Sequence, residues 1–272
     1  MEQNYSVLMS VYEKEKAEFL KQSIDSILGQ TVCPNDFVLV CDGVLTRELY
    51  EVIDSVKKEN PGLFQVISLS ENRGLGEALK EGLSYCRNEF VARMDSDDIS
   101  VKNRCELQLA VMDREQADIV GGWVEEFEKE PMEQGAVRRV PEYGEEIVQY
   151  AKKRNPFNHP TVMFRREAVL RAGNYQPCRG FEDYHLWVRM LEIGCKGYNI
   201  PAVLVHMRGG NGMYQRRGGV QYLKDTVAFQ NFMRKSGYIG NLEFAAAVAK
   251  RGLVSLVPSG VRRFIYSVFL RK

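Results

Sequence analysis

Three carboxylates stand within four residues at Asp95-Ser96-Asp97-Asp98, directly after the apolar run Glu89–Met94. Like charges this close repel one another unless a cation or several hydrogen-bond donors compensate them. Hard divalent cations such as Mg2+ and Mn2+ favour oxygen ligands, typically one or two carboxylates together with the phosphate oxygens of a substrate. The same residues have a plainer use, because Asp97 or Asp98 could cap a helix beginning near Ser100. Capping explains one aspartate well and three poorly.

Other residue types with chemical potential lie at intervals along the chain. Tyr12, followed by Glu13, and Asp42 suit a flat heteroaromatic ring, which would stack on the tyrosine and donate an N–H to the aspartate. They also read as a rim tyrosine and a turn aspartate ahead of Gly43. Arg73, in Asn72-Arg73-Gly74, could clamp a phosphate or a base, or be a surface arginine. At Gly180-Phe181-Glu182-Asp183 a carboxylate pair opens a helix. Asp183 there is either a cap or a general base within reach of an acceptor hydroxyl. Trp187, one turn later, either walls the apolar face of an acceptor or packs in the core. His206 follows a strand and precedes a polar glycine-rich loop, so it is a candidate for metal or phosphate, although many histidines are structural. His159, in Asn158-His159-Pro160-Thr161, stands at the start of a strand where it could face an acceptor; His185 reads as structural.

The elements that must position these residues follow from apolar spacing. Tyr5–Val11, Phe37–Cys41, Phe64–Leu69 and Glu89–Met94 read as buried strands. Between them Phe19, Leu20, Ile24, Ile27 and Leu28 form one helical stripe, Leu49, Val52, Ile53 and Val56 a second, and Leu75, Leu79 and Leu83 a third within Gly74–Cys86. Strands alternating with helices predict an α/β fold with a mostly parallel sheet covered on both faces. Ligands bind beyond the carboxyl ends of such strands. Those exits are where Tyr12-Glu13, Asp42-Gly43, Asn72-Arg73-Gly74 and Asp95-Ser96-Asp97-Asp98 fall. After Ile99 the spacing predicts a helix over Val101–Arg114 and a strand over Ile119–Phe127. A polar stretch with Pro131, Gly135, Pro141 and Gly144 reads as a loop or edge hairpin. Thr161–Phe164 reads as a short strand, Glu182–Ile193 as a helix and Ala202–Met207 as a strand. A basic glycine-rich loop carrying Arg216 and Arg217 then leads to helices over Val220–Ser236 and Leu242–Lys250.

The 272 residues, 44% hydrophobic and 27% charged, describe a globular chain able to bury a large core. A net charge of +1 excludes a globally basic nucleic-acid binder. No apolar run is long enough to span a membrane, and Met1-Glu2-Gln3-Asn4 is too polar to begin a signal peptide. Six cysteines without a Cys-x-x-Cys pair read as free thiols of the cytosol rather than disulfides or zinc ligands. Arg251–Lys272 mixes Arg251, Arg262, Arg263, Arg271 and Lys272 with apolar residues. This tail suits either an interfacial anchor on an anionic membrane or a helix packed back on the domain.

Taken together, Ser10-Val11-Tyr12, Val40-Cys41-Asp42-Gly43, Asn72-Arg73-Gly74, Met94-Asp95-Ser96-Asp97-Asp98, His159-Pro160-Thr161-Val162-Met163 and Glu182-Asp183 resemble the family 2 glycosyltransferases of the GT-A fold that build bacterial surface polysaccharides. The resemblance spans roughly the first 190 residues, with the pieces in the family's order. It implies an inverting transferase with a nucleoside-diphosphate-sugar donor, commonly UDP-linked, and a saccharide or lipid-linked saccharide acceptor. It places Tyr12, Asp42 and Arg73 at the nucleoside, Asp95 and Asp97 at the ribose and the Mn2+ or Mg2+, and Asp183 as the base. The stretch from His206 to Gly219, with Arg216 and Arg217, is similar to a loop in part of the family. Many members carry an arginine before the corresponding histidine, whereas here Arg208 follows His206. The implied layout is a catalytic domain over 1–208, with a nucleotide-binding half (1–98) and an acceptor half (99–208), and a basic loop with C-terminal helices over 209–272. The expected location is the cytoplasm; the tail, read as an anchor, would attach the chain peripherally to the inner face of the membrane. Two competing readings are a sugar-nucleotide nucleotidyltransferase and a non-catalytic nucleotide-sugar-binding subunit. Tyr12-Glu13-Lys14-Glu15 lacks the glycine-rich loop expected of the first, and the presence of both Asp97 and Asp183 argues against the second.

Overall fold

The computed structural model of the chain describes residues 4–127, 135–209 and 219–256. Strands β1 (Tyr5–Val11), β2 (Asp36–Cys41), β3 (Phe64–Ser68) and β4 (Phe90–Asp95) pair in parallel in the order β3-β2-β1-β4. The β2 side chains are all buried and those of β1 nearly so, as expected of strands covered on both faces. The crossovers run through α1 (Ala17–Leu28), α2 (Arg47–Glu59) and α3 (Leu75–Leu83).

Beyond β4 the sheet continues through β8 (Met163–Arg165), β6 (Ile119–Phe127), β9 (Gly197–Arg208) and the short β5 (Ile99–Ser100), while β7 (Val137–Arg138) pairs with β6. Because β8 is antiparallel to both β4 and β6, and β6 is parallel to β9, the strands β1, β2, β3, β4, β6 and β9 all point their carboxyl ends to one edge. That edge carries Val11, Cys41, Ser68, Asp95, Phe127 and Arg208.

Alternate side chains of the strands feed two cores. Val7, Met9, Leu39, Ala92 and Met94 pack with α1, α2 and α4 (Arg104–Arg114). Leu8, Val38, Val40 and Val91 pack with α3, α6 (Arg166–Arg171) and α7 (Glu182–Glu192). A third cluster joins the start of α7 to α8 (Gly219–Lys235): Phe181, Tyr184, Val188, Phe229, Met233 and Ile239 are buried together. The Phe181 and Phe229 rings stack at 4.8 Å, and α9 (Asn241–Leu256) lies against α8. No described helix is long and apolar enough to cross a membrane.

Three differences from the sequence reading have local causes. Strand β9 begins at Gly197 and passes through Pro201, which cannot donate to a ladder; the register with β6 slips there, from Ile200 opposite Gly122 to Val203 opposite Trp123. The polar stretch after β6 does form a hairpin with β7, but it also contains α5 (Gly144–Ala151). That helix buries only Ile147 and Ala151, too few contacts to leave a periodic signal. Thr161 belongs to a 3₁₀ turn, His159–Thr161, ahead of β8.

Candidate active site

The acidic tip after β4 does not cap a helix. The next helix, α4, starts at Arg104 with Asn103 as its cap residue, and Ile99–Ser100 instead form β5 against β9. The tip is tied down from several sides. Ser23 of α1 donates to the Asp95 carbonyl at 2.6 Å, and Ser96 donates to Glu15 Oε2 at 2.9 Å. The Arg208 backbone N–H donates to Asp98 Oδ1 at 2.8 Å, and Arg208 Nε donates to the Asp97 carbonyl at 3.0 Å. Asp95 and Asp97 are half-buried; Asp98 is 2% exposed, and its Oδ2 has no hydrogen-bond partner. Burial, reinforced by the charges of Asp95 and Asp97, holds the Asp98 carboxyl well above the usual carboxylate range.

Asp95 has a partner that the sequence reading missed. Arg93, two positions back and therefore on the same face of β4, is 1% exposed and grips both Asp95 oxygens, Nη1 donating to Oδ2 at 2.8 Å and Nη2 to Oδ1. A charged residue inside the apolar run Phe90–Met94 was the signal for it, since an arginine buried in a strand requires a paired charge.

Asp42 and Arg73 come together, in a way the sequence reading did not foresee. The buried Asp42 carboxylate accepts the backbone N–H groups of Arg73 at 2.7 Å and of Gly74 at 3.0 Å, so it shapes the Asn72–Gly74 loop. Gly43 makes the approach possible: its φ is +88°, and a Cβ there would lie 2.8 Å from the Asn72 nitrogen. Arg73 itself is exposed, as are Tyr12 and Glu13 at the β1 exit. Register places these tips side by side, with Ser10 opposite Asp95 and Val11 opposite Cys41.

The opposite wall is the start of α7. The half-buried Asp183 accepts Asn155 Nδ2 at 2.6 Å. Burial raises its carboxyl, an effect opposed by the Tyr184 backbone amide, Asn155, Arg93 and Arg138. Arg93 thus acts on Asp95 by contact and on Asp183 through its field. Glu182 lies over α3, where a Cβ added to Gly76 would meet Glu182 Cγ at 3.0 Å; its carboxyl is also raised, chiefly by burial. His159 Nε2 faces the Tyr175 hydroxyl at 3.0 Å, and burial with the nearby Arg93 charge keeps the imidazole neutral.

Trp187 walls no acceptor. It is 0% exposed and packs among Phe157, His159, Phe164 and Tyr175, because its position on α7 faces the sheet. His185 is buried against Phe232 with its pKa lowered to about 4 by burial, a neutral structural residue. Arg216 and Arg217 lie outside the described residues, as does the tail beyond Leu256. A cavity of about 510 Å3 among Ala117, Tyr143, Ile147, Cys195 and Tyr198 opens at the other edge of the sheet, away from these groups.

The ligand set Asp95, Asp97 and His206 expected for a cation is not assembled as a cage. Among the described residues no three or more His, Cys, Asp or Glu side chains converge to hold a metal. Asp95 is engaged by Arg93. His206 Nδ1 stands 3.0 Å from Glu125 Oε2, close in distance but off the line of a hydrogen bond, so it has no such partner. The tip does fit a cation shared with a substrate: three carboxylates stand within four residues, the buried Asp98 Oδ2 has no hydrogen-bond partner, and Asp97 supplies a half-buried carboxylate at the rim.

The model of glycosyl transferase family 2 matches residues 6–173. The chain is 38% identical over 269 residues to the UDP-Gal:alpha-D-GlcNAc-diphosphoundecaprenol beta-1,3-galactosyltransferase of Escherichia coli, covering 98% of this chain and 97% of that one. It is 36% identical over 267 residues to the amylovoran biosynthesis glycosyltransferase AmsE of Erwinia amylovora, covering 96% and 97%. Its fold is similar to that of S. aureus TarS 1-349 in complex with UDP-GlcNAc, with a TM-score of 0.70 at 16% identity over 98% of this chain and 76% of that one. It is also similar to the mannosyltransferase PcManGT of Pyrobaculum calidifontis in complex with GDP-Man and Mn2+, with a TM-score of 0.65 at 16% identity over 99% and 81%. With a GT-A-type sheet, a carboxylate-rich strand tip and a match across more than half its length, the chain belongs to glycosyl transferase family 2 and is a glycosyltransferase.

Proposed function

We propose that this glycosyltransferase moves a sugar, with inversion, from a UDP-linked donor to a hydroxyl of a lipid-linked saccharide in surface polysaccharide assembly. The observation that carries the reading is the placement of two carboxylates at one sheet edge: Asp95 at the end of β4, held by the buried Arg93 guanidinium, and Asp183 at the start of α7, held by Asn155 and sensing the same Arg93 charge. Tyr12, Glu13, Asp42 and Arg73 form the nucleoside side, with Asp42 acting through the loop it shapes. Asp97, together with donor phosphate oxygens, would hold Mn2+ or Mg2+, which when bound offsets the charge growing on the departing diphosphate. On the other wall Asp183 accepts the proton of the acceptor hydroxyl as its oxygen attacks the anomeric carbon from the side opposite the diphosphate. One C–O bond forms as another breaks, so no nucleophilic side chain is required. The raised carboxyl of Asp183 makes it a stronger base than an exposed aspartate, and Asn155 orients it. His159 and Glu182 line the acceptor side.

The Escherichia coli relative, named for a UDP-Gal donor and a diphosphoundecaprenol acceptor, supports the donor and acceptor classes, and the Mn2+ complex of the fold neighbour supports the cation. We divide the chain accordingly into a donor half (1–98), an acceptor half (99–208) and a C-terminal helical piece. We place the enzyme at the cytoplasmic face of the membrane, held peripherally through the basic tail. Deleting Val261–Lys272 should reduce co-sedimentation with anionic vesicles, and unchanged co-sedimentation sinks that attachment. The central test incubates the chain with a panel of nucleotide sugars and Mn2+ and measures released nucleotide. Asp183→Asn should lose about 100-fold or more in turnover while keeping donor binding. Full turnover in Asp183→Asn removes it as the base.

A further inference from the structure

Arg208 closes β9 with an unusual set of contacts. Its backbone N–H reaches Asp98 Oδ1 at 2.8 Å, its Nε the Asp97 carbonyl at 3.0 Å, and its Nη2 Gln22 Oε1 on α1 at 2.8 Å. The guanidinium lies over the Phe19 ring of α1 at 3.7 Å and also approaches the Phe127 ring at the end of β6, at 4.7 Å. One side chain therefore joins α1, β6 and β9 to the backbone of the acidic tip. A planar cation between two rings keeps its donors in a fixed fork, which an ammonium on a flexible stem does not. The Nε bond fixes the carbonyl of Asp97 and so restricts the backbone on the carboxyl side of Asp97, and with it the direction in which the Asp97 side chain leaves the chain; the bond to Asp98 belongs to the Arg208 backbone and persists in side-chain variants.

We infer that Arg208 is a positioning residue that presets Asp97 for the diphosphate and its cation. The inference rests on the proposed function, in which Asp97 serves the donor. Its consequence is a split: loss of Arg208 weakens cation and donor binding, while turnover at saturation changes little, because the base wall across the site makes none of these contacts.

The test uses the full chain and the variants Arg208→Lys and Arg208→Met. In metal-free protein, amide hydrogen exchange over residues 95–100 should quicken about tenfold or more, the scale of losing a charge-assisted hydrogen bond, while exchange in β2 (Asp36–Cys41) stays as in the parent. The Mn2+ concentration that half-saturates UDP binding, followed by loss of the free Mn2+ resonance signal, should rise about tenfold. Parent-like exchange at the tip, parent-like Mn2+ demand, or an equal rise in β2 exchange overturns the inference. Should both variants fail to fold, Gln22→Ala and Phe19→Leu loosen the guanidinium without removing it; faster tip exchange in them supports the inference, and unchanged exchange overturns it. A parent protein that releases no nucleotide from any sugar donor defeats the functional reading, and the metal-free exchange still decides the role of Arg208.

Discussion

Two side chains fix the electrostatics of the site, Arg93 and Asp183. As the proposed base, Asp183 must be ionised to accept a proton, and burial raises its carboxyl above the ordinary range. The rate should therefore fall as the pH drops through that raised value. Asn155 donates to the ionised form and opposes the shift, so Asn155→Ala should move the acidic limb of the kcat/KM profile to higher pH. An unmoved limb would separate the limb from Asp183. The linkage to stability has the same sign: a carboxyl raised on folding favours the folded state below its unfolded value and loses that contribution as the pH rises through the folded one. Arg93→Met would strand Asp95. With the Asp95 side chain 31% exposed, water softens the cost of the broken pair to about 2 kcal/mol, measurable by urea unfolding, and catalysis should fall further than stability accounts for. Residues of this kind were legible in the sequence only by type. Asp97, Asp95 and Asp183 announced themselves as clustered carboxylates, whereas Asn155 is a neutral side chain whose role arises only when the turn before His159 folds against α7.

At the level of elements, strands and helices of the first half were readable because each crossover repeats one pattern, an apolar run followed by a helical stripe. The second half was less so. The helix α5 buries two side chains, and β9 runs through a proline that a strand reading excludes. The start of α7 is supported from behind by α8: Phe229 stacks on Phe181 at 4.8 Å and meets the Tyr184 ring at 4.6 Å. Phe229→Ala should cost about 3–5 kcal/mol as a buried aromatic removed from a packed cluster. Because that cluster surrounds Asp183 in sequence, the loss should appear in kcat before donor KM, in protein shown by circular dichroism to remain folded. A variant with intact kcat would limit α8 to a purely stabilising role.

For the whole molecule, the decisive fact is direction. Six of the described strands end on one edge, and an antiparallel β8 between β4 and β6 is what lets the later strands regain that direction. Nothing in local spacing announces the reversed strands β5, β7 and β8, so the sequence reading arrived at a mostly parallel sheet and at the strand tips, without the route by which β9 brings Arg208 to them. The two walls also touch directly, Glu182 over Gly76. Gly76→Val should force Glu182 aside at a cost of about 1–3 kcal/mol and raise donor KM and acceptor KM together, readable in initial-rate kinetics with both substrates varied. A change confined to one substrate would show that the walls move independently.

That touch sets a rule for building hybrids. On the proposed division into donor and acceptor halves, exchanging the second half of this chain for that of another transferase, to give the same donor a new acceptor, would cut through a fitted seam. The side chain arriving at position 182 and the bare backbone at position 76 have to travel as a matched pair. A graft that honours strand order but ignores that pair would assemble two working halves that do not close on each other.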